Sequence, residues 1–525
     1  MKKYIISTWL FISIFVGSEC FATNWYVDNA AGGTNAGTSW TNAWTSFAGI
    51  VWGGAGVKAG DTLYISGGTV SKTYNATLTV GASGTSGNII TIKKGIDSGH
   101  NGTVIIDGQS TRNNGIIIGA HPYVTIDGFE LKNFVGANGT GAIDGSSASA
   151  NYITITNCSI HDNGDSGVDG GVYVHAPTGI GLYAAGSYWV VTHNTFYNNY
   201  NIQVSHSTIA SHNEYAYNTF MDKSAWAIVP SSSYLDLHDN TFIDCGKFYL
   251  PFPPHVNCIW IFLNDNNMTS HDTKIYNNLI YMTGTYNYPT ESMTAAIQIA
   301  ANYVETNMAY DGIYIYNNTL VNIPAFTAIA LSSKNVSMSN VGIYNNSIYQ
   351  PIYPAGTNVG AIGIFGGTGG SLPYYQAYTN VNIKGNVLKV GNSLAILVPY
   401  DNFTNMVIDY NNYYSLNSEP FIAGTPVTNH FYNWSNWQAV GYDTHGKGPQ
   451  SDPLYVDAST TTHNLHLGIG SPCMDAFPTA QAPTSLFTTD IDGTTRPVGS
   501  AWDMGAYEYT SGTSRPAPPT NLRIQ

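Results

Sequence analysis

Hydrophobic and polar residues alternate in short segments that recur along the chain. The stretch GIYIYNNTLVN from Gly312 to Asn322 has close copies, which begin at Tyr152 (YITITNCSIHDN), Tyr234 (YLDLHDNTFID) and Val341 (VGIYNNSIY). Alternation with a period of two predicts strands that bury one face. Repeats of twenty or more residues without a helical period are typical of a solenoid.

The copies align on one column of residues, which predicts a bend between two short strands. Its members are Gly108, Gly128, Asn157, His193, Tyr217, Asp239, Asn277, Asn317, Asn345, Gly385 and Tyr410. An asparagine follows most of them: Asn194, Asn218, Asn240, Asn278, Asn318, Asn346, Asn386 and Asn411. We expect these asparagines to adopt the left-handed turn conformation and to stack into a hydrogen-bonded ladder. Cys158 occupies the same position as a small buried thiol.

Stacked identical columns predict an all-β fold, a right-handed parallel β-helix solenoid of about eleven or more coils. The handedness follows from the usual handedness of parallel crossovers. The predicted segments are a signal peptide (1–22), an N-terminal cap (23–60), the β-helix (61–450), a C-terminal closing segment (451–510) and a disordered tail (511–525). Within the cap, WTSFAGIVW from Trp44 to Trp52 predicts a short amphipathic helix.

The N-terminus and the charge balance indicate an exported protein. Two lysines, an apolar run and small residues up to Ala22 are typical of a cleaved signal peptide. We therefore expect a secreted, extracellular or cell-surface monomer with no transmembrane segment in the mature chain. The full chain has a net charge of −14, and losing Lys2, Lys3 and Glu19 leaves 16 basic against 31 acidic residues. This balance argues against a nucleic-acid partner.

Of the cysteines beyond residue 22, none forms a metal-type pair. Cys245 and Cys258 are close enough in sequence to close one loop by a disulfide, although the sequence does not indicate a disulfide framework.

The binding surface is predicted on the strands that precede the asparagine-bearing segments. If alternate Ile, Leu and Val residues face the core, the outward residues are Tyr183, Gln203, Ser205, Trp260, Phe262, Gln298 and Ala330. His206 is added as a further substrate-binding candidate. Aromatic faces and neutral amides suit a neutral or mildly acidic glycan. Three aromatic, proline-rich loops enter these strands, at 247–257, 285–292 and 349–356, and packing of the loops onto the rod explains their aromatics equally well.

Carboxylates cluster in the loop HDNGDSGVDGGVYVH, which should stand at the rim of this surface. Asp162, Asp165 and Asp169, with His175 nearby, could bind Ca²⁺ or act as acid and base. A solvated turn rich in Asp and Gly is the alternative. His206, His212 and Glu214 form a second, weaker cluster.

Both ends of the repeat region resemble a known group of exported proteins. NWYVDNAAGGTNAGTSWTNAW and KAGDTLYISGGT resemble the first coil of right-handed parallel β-helix proteins of the pectin-lyase-like superfamily. The closing motifs NWSNWQAVGYDTHGKGPQSDPLYVDA, GSPCMDA and DIDGTTRPVGSAWDMGAYEY resemble the choice-of-anchor Q segment of bacterial exported β-helix proteins. The superfamily contains lyases, hydrolases, epimerases and non-catalytic surface proteins, so the resemblance implies the fold more than an activity.

Charged residues in the closing segment invite a catalytic interpretation, but ion pairing within an irregular cap explains them better. They are Asp490, Asp492, Arg496, Asp503 and Glu508.

The residues leave three functions open. The first is a polysaccharide lyase or glycoside hydrolase that uses Asp162, Asp165 and Asp169. The second is a non-catalytic rod that binds a polysaccharide or cell-surface glycan. The third is an adhesin without glycan recognition. The predicted surface lacks the basic groups that a lyase needs and the paired acids that a hydrolase needs. Ca²⁺ is the one cofactor that the pattern suggests.

Overall fold

The structure is a computed structural model. It describes residues 22–136, 140–164, 168–169, 172–173, 180–200, 202–206, 210–221, 226–230, 232–245, 256–263, 266–283, 293–301, 307–323, 325–333, 336–351, 360–366, 377–398, 403–425, 428–459 and 462–511. The predicted signal peptide and tail lie almost entirely outside these residues. Among the described helices, none is long and apolar enough to cross a membrane.

Three long sheets run along a solenoid, and each coil adds one strand to each sheet. Sheet 1 comprises Asn24–Val27, Thr62–Ile65, Ile90–Lys94, Val124–Asp127, Ile153–Thr156, Val190–Thr192, Ser211–Ala216, Ser233–His238, Thr269–Tyr276, Met308–Tyr316, Val336–Tyr344, Tyr378–Lys384 and Phe403–Asp409. Sheet 2 comprises Leu78–Thr79, Ile116–Ile117, Gly141–Gly145, Ile180–Ala184, Ile202–His206, Trp226–Pro230, Asn257–Leu263, Met293–Ala301, Ala325–Ser333, Gly360–Gly366, Leu394–Val398, Phe421–Thr425 and Thr428–Tyr432. Sheet 3 comprises Ser71–Tyr74, Thr103–Asp107, Phe129–Lys132, Ser159–His161, Thr195–Tyr197, Thr219–Met221, Thr241–Ile243, Leu279–Tyr281, Thr319–Val321, Ser347–Gln350, Val387–Val390 and Asn412–Tyr414.

The remaining elements are short. Two antiparallel pairs join Val168–Asp169 to Val172–Tyr173 and Tyr455–Asp457 to Asn464–Leu467. The helices are the 3₁₀ turns Phe47–Gly49 and Thr479–Gln481 and the α-helix Trp434–Ala439. The predicted fold class, an all-β parallel β-helix with more than eleven coils, is confirmed.

The core is one continuous shaft of aliphatic side chains between the sheets. In sheet 2, Ile228, Ile259, Ile297 and Ile329 occupy one register column, and each is fully buried. Because successive coils repeat the same inward residue, the direction of the neighbouring side chains follows from register.

The asparagine ladder is confirmed. From Asn194 to Asn386, the backbone N–H of each ladder asparagine donates to the Oδ1 of the asparagine one coil further on, over 3.0 or 3.1 Å. The Nδ2 of each donates to the same Oδ1. At the N-terminal end, the backbone N–H of Cys158 donates to Asn194, and the Cys158 thiol is buried.

The left-handed conformation falls one residue earlier than predicted. The residue before each ladder asparagine has a positive φ, for example 56° at Tyr217 and 58° at His193 and at Tyr410. Bulky residues rarely adopt this conformation. The ladder bonds, repeated in successive coils from Asn194 onward, therefore stabilise a bend that the preceding side chain does not favour.

Asp443 closes the ladder at its C-terminal end. Its Oδ1 accepts the Nδ2 N–H of Asn411 over 3.0 Å, and its Oδ2 accepts the hydroxyl of Tyr413 over 2.5 Å and the indole N–H of Trp437 over 3.0 Å. Although these bonds favour the carboxylate, burial raises the pKa of Asp443 to about 6.

The N-terminal end differs from the predicted amphipathic helix. Between Trp44 and Trp52 the chain forms only the three-residue turn Phe47–Gly49. Trp44, Phe47 and Ile50 are nevertheless buried in the central core. The apolar spacing indicated which residues pack against the first coil, but nine residues that include Gly49 and are followed by Gly53 are too few to form a stable helix.

Cys245 and Cys258 form a disulfide between sheet 3 and the start of a strand of sheet 2. The bond closes the segment that leads into the strand carrying Trp260.

Candidate functional site

Sheet 2 presents the predicted outward residues Tyr183, Trp260 and Gln298 in one register column. Tyr183 pairs with Ser205 in the next coil, and Trp260 pairs with Gln298. Tyr183, Trp260 and Phe262 are half-buried, whereas Gln298 is only 7% exposed. These residues alternate with core residues, so the outward direction predicted for them agrees with the register.

Trp226, which the sequence analysis did not single out, belongs to the same outer face. Its ring stacks on that of Trp260 with centroids 5.2 Å apart, and Phe262 is tilted against Trp260 at 4.6 Å. The three rings form an aromatic cluster on two consecutive coils.

The outer face of sheet 2 is almost uncharged. The nine strands from Gly141–Gly145 to Leu394–Val398 contain no lysine or arginine, and Asp144 is their only acidic residue. A lyase acting on uronates needs positive charge beside the substrate carboxylate, and these strands do not supply it.

The outward direction predicted for Gln203 was wrong. Gln203 is fully buried, its Nε2 donates to the carbonyl of Met221 over 2.7 Å, and its Oε1 accepts from Asn199 over 3.1 Å. Two consecutive residues face the core at this point of each coil, so strict alternation fails. The other described members of its column are small: Ala142, Gly181, Ala227, Cys258, Ala296, Ala328, Ala361 and Ala395.

His206 lies in the core rather than on the binding surface, which corrects its assignment to substrate. It is 3% exposed, and its Nε2 donates to the carbonyl of Gly186 over 2.6 Å while the ring also hydrogen-bonds the hydroxyl of Tyr215. Burial lowers the pKa of His206 to about 4. The imidazole is therefore a neutral structural group.

The predicted acidic loop is described only in part. Asp165 and His175 lie outside the described residues, and so does the side chain of Asp169. The Asp162 carboxylate accepts from Asn198 over 3.1 Å and bonds Nδ1 of His161 over 2.7 Å. Among the described residues no group of three or more His, Cys, Asp or Glu could hold a metal ion. The acid, base and Ca²⁺ roles of this loop stay predictions.

A second exposed surface, on sheet 1, was missed. Five rings stack face to face along consecutive coils, with centroids 4.4 to 4.8 Å apart: Tyr123, Tyr152, Tyr188, His212 and Tyr234. Each of the five has a positive φ. Because the rings cover one another's faces, they present edges and hydroxyl groups to solvent.

Beside this stack lies an open cleft of about 450 Å³, lined by Glu214, Asp236, Asp272 and Lys274 among others. Glu214 and Asp236 are register partners on consecutive coils, so their backbones are about 4.8 Å apart. His238 approaches Glu214 to 3.4 Å, and Lys274 approaches Asp236 to 3.4 Å. The second predicted cluster does not form one site, because His206 is buried in the core whereas His212 and Glu214 line the cleft on sheet 1.

The charges of the closing segment form a buried network. Arg496 is fully buried as a side chain and donates to Glu508 over 2.7 Å and to the carbonyls of Asp503 and Gly505. Burial raises the pKa of Asp503 to about 6. These contacts agree with ion pairing rather than with an open catalytic site.

The family described as “Right handed beta helix region” matches residues 94–275. Similar solved structures include pectate lyase Pel9A, with 14% identity and a TM-score of 0.38 over 93% of this chain and 96% of that one. XylC in complex with xylose shares 10% identity with a TM-score of 0.39, covering 72% of this chain and 86% of that one. An alginate lyase from Paenibacillus sp. str. FPU-7 shares 15% identity with a TM-score of 0.32, over 57% and 93%. No curated protein matches the sequence. The chain is a right-handed parallel β-helix.

Proposed function

We propose that this chain is an exported protein that engages a polysaccharide along the outer face of sheet 2. The observation that carries the proposal is the Trp226, Trp260 and Phe262 cluster on a face without basic residues. Aromatic side chains pack on sugar rings, and a polymer lying along the solenoid axis would meet equivalent positions in successive coils.

The absence of lysine and arginine from these strands favours a weakly charged glycan. A densely anionic polymer would meet no compensating charge there, and a net charge of −14 would repel it.

Binding should be measured by calorimetry with a panel of neutral and uronic polysaccharides, with and without Ca²⁺. We expect a neutral polysaccharide to bind, and a Trp226→Ala/Trp260→Ala variant with an unchanged circular dichroism spectrum to lose at least tenfold in affinity. Unchanged affinity in that variant, or no binding by any glycan, would refute the proposal.

A second candidate is glycoside hydrolysis in the cleft of sheet 1. Retaining glycosidases place two carboxyl groups about 5 to 5.5 Å apart, and Glu214 and Asp236 stand on consecutive coils at a comparable backbone spacing. Release of reducing ends that disappears in both Glu214→Gln and Asp236→Asn would support it. Absorbance from unsaturated products would instead indicate a lyase, and an Asp162→Asn variant would then test the acidic loop.

A further inference from the structure

Within the described part of the chain, three N–H donors on the outer face of sheet 2 have no acceptor. They are Nε1 of Trp226, Nε1 of Trp260 and Nδ2 of Asn257, and all three atoms are shielded from solvent. The orientation of the Asn257 amide is fixed, because its Oδ1 accepts the backbone N–H of Ala295 over 2.9 Å. Most buried polar groups find a partner, so three orphan donors at one place point to an absent acceptor.

The donors occupy two consecutive coils. Trp226 and Asn257 are register partners, and Trp260 follows three residues after Asn257 on the same strand. The stacked rings of Trp226 and Trp260 keep the two indoles adjacent. The indoles of Trp226 and Trp260, with Asn257 beside Trp226 in register, are therefore close enough for one small ligand group to approach them together.

The chemistry of the missing acceptor follows from the donors. Oε1 of Gln298, the register partner of Trp260, could accept the proton of one sugar hydroxyl. The three N–H donors outnumber this acceptor, and a carbonyl oxygen offers two lone pairs and brings no proton, so a carbonyl matches the donor set better. The surrounding rings of Trp226, Trp260 and Phe262 are apolar. They suit a methyl group attached to that carbonyl.

Among the described residues of this face, no cation would balance a charged acceptor. A carboxylate or sulfate enclosed among these side chains would need a cation, since burying an unpaired charge is costly. The nine strands of this face contain no lysine or arginine, and Asp144 is their only acidic residue.

We propose that Trp226, Asn257 and Trp260 form a subsite for the acetyl group of an acetylated sugar, with the carbonyl oxygen on the N–H donors and the methyl group against the rings. This inference rests on the proposed function and specifies its substrate class. The acetyl group can belong to an acetamido sugar or to an O-acetyl ester, because both present the same carbonyl and methyl.

Matched ligands and ring-preserving variants test the subsite by calorimetry. The acetamido arm compares hexa-N-acetylchitohexaose with its fully de-N-acetylated form, and the ester arm compares acetylated xylan with the same xylan after alkaline deacetylation. We expect the acetylated form to bind at least tenfold more tightly in one of the arms. The Trp226→Phe/Trp260→Phe variant keeps the rings and removes two N–H donors, and it should lose that preference.

Tyr64→Phe, on the N-terminal sheet 1 strand Thr62–Ile65, is the matched control and should keep the wild-type preference. The single Trp226→Phe and Trp260→Phe variants, each checked by thermal unfolding, cover the case in which the double variant does not fold. Equal affinity for acetylated and deacetylated ligands, or a preference that survives in the Phe variants, would overturn the subsite while leaving polysaccharide binding intact. Failure of every glycan to bind would overturn the proposed function as well.

Discussion

Asp443 at the end of the asparagine ladder offers a test of how this solenoid terminates. Asn411 donates to Oδ1 of Asp443 through both its backbone N–H and Nδ2, and Tyr413 and Trp437 donate to Oδ2. The perturbation is Asp443→Asn, which removes the titrating proton and replaces one acceptor by a donor.

The pKa of the carboxyl sets the pH dependence. The folded-state value of about 6 lies above the ordinary 3.8, so the folded protein binds more protons than the unfolded chain between these values. The contribution of Asp443 to stability therefore falls as pH rises from 3.8 to 6, by about 3 kcal/mol. Below pH 3.8 the cost of burying the ionised Asp443 carboxylate is absent, and above pH 6 this cost is complete.

The asparagine variant has a different cost that does not depend on pH. The Tyr413 hydroxyl can turn to accept from the new amide, but the Trp437 indole N–H then loses its acceptor. An unsatisfied buried donor costs about 1 to 3 kcal/mol. Asp443→Asn should thus be less stable than wild type at pH 4 and equal to or more stable than wild type at pH 8.

Urea unfolding followed by circular dichroism at both pH values measures this difference. Asp272→Asn, at an exposed position of the sheet 1 strand Thr269–Tyr276, is the matched control and should change the free energy of unfolding little at either pH. A difference between wild type and Asp443→Asn that stays constant, or that favours wild type more at pH 8, would refute the reasoning.

Substitutions at three further places probe the buried groups. Arg496→Met leaves Glu508 buried without its cation and should destabilise the fold by about 3 to 5 kcal/mol, with partial recovery in Arg496→Met/Glu508→Gln, as measured by thermal unfolding. Because His206 must stay neutral and has a pKa of about 4, its contribution to the free energy of unfolding should fall by about 3 kcal/mol as pH falls from 6.5 to 4, and urea titrations should show the difference between wild type and His206→Gln shift by this amount in favour of the variant. Replacing Cys245 and Cys258 by serine should lower the free energy of unfolding by about 2 to 4 kcal/mol, and an unchanged urea midpoint would contradict this.

The fold was predictable because every coil repeats the same physical problem. Ile313 and Ile315 alternate with polar residues, and Asn318 follows the bend, as equivalent residues do in the other coils. The inward or outward direction of the side chains in one copy therefore predicts the direction of the equivalent side chains in the other copies. The ladder bonds confirm that inference residue by residue.

The errors arose where local geometry departs from a period of two. Gln203 points inward because two successive residues face the core there, and the run of small residues in its column was the available signal. His206 was placed on the surface because its bond to Gly186 is not visible in the sequence. Left-handed Tyr217 was missed because asparagine is the usual residue in that conformation.

The candidate surfaces were harder to predict than the fold. Tyr183, Trp260 and Phe262 followed from alternation, but the stacking of Trp226 on Trp260 requires contacts between coils. Glu214 and Asp236 come from different copies of the repeat, so their proximity depends on register rather than on sequence spacing.

Hydroxyl-radical footprinting with mass spectrometry, with and without bound polysaccharide, tests the account most directly because the two faces carry different aromatic residues. Glycan engagement along sheet 2 predicts that Trp226 and Trp260 are protected while Tyr152, Tyr188 and Tyr234 of sheet 1 stay as reactive as in the free protein. Protection of the three tyrosines with no change at the two tryptophans would contradict it.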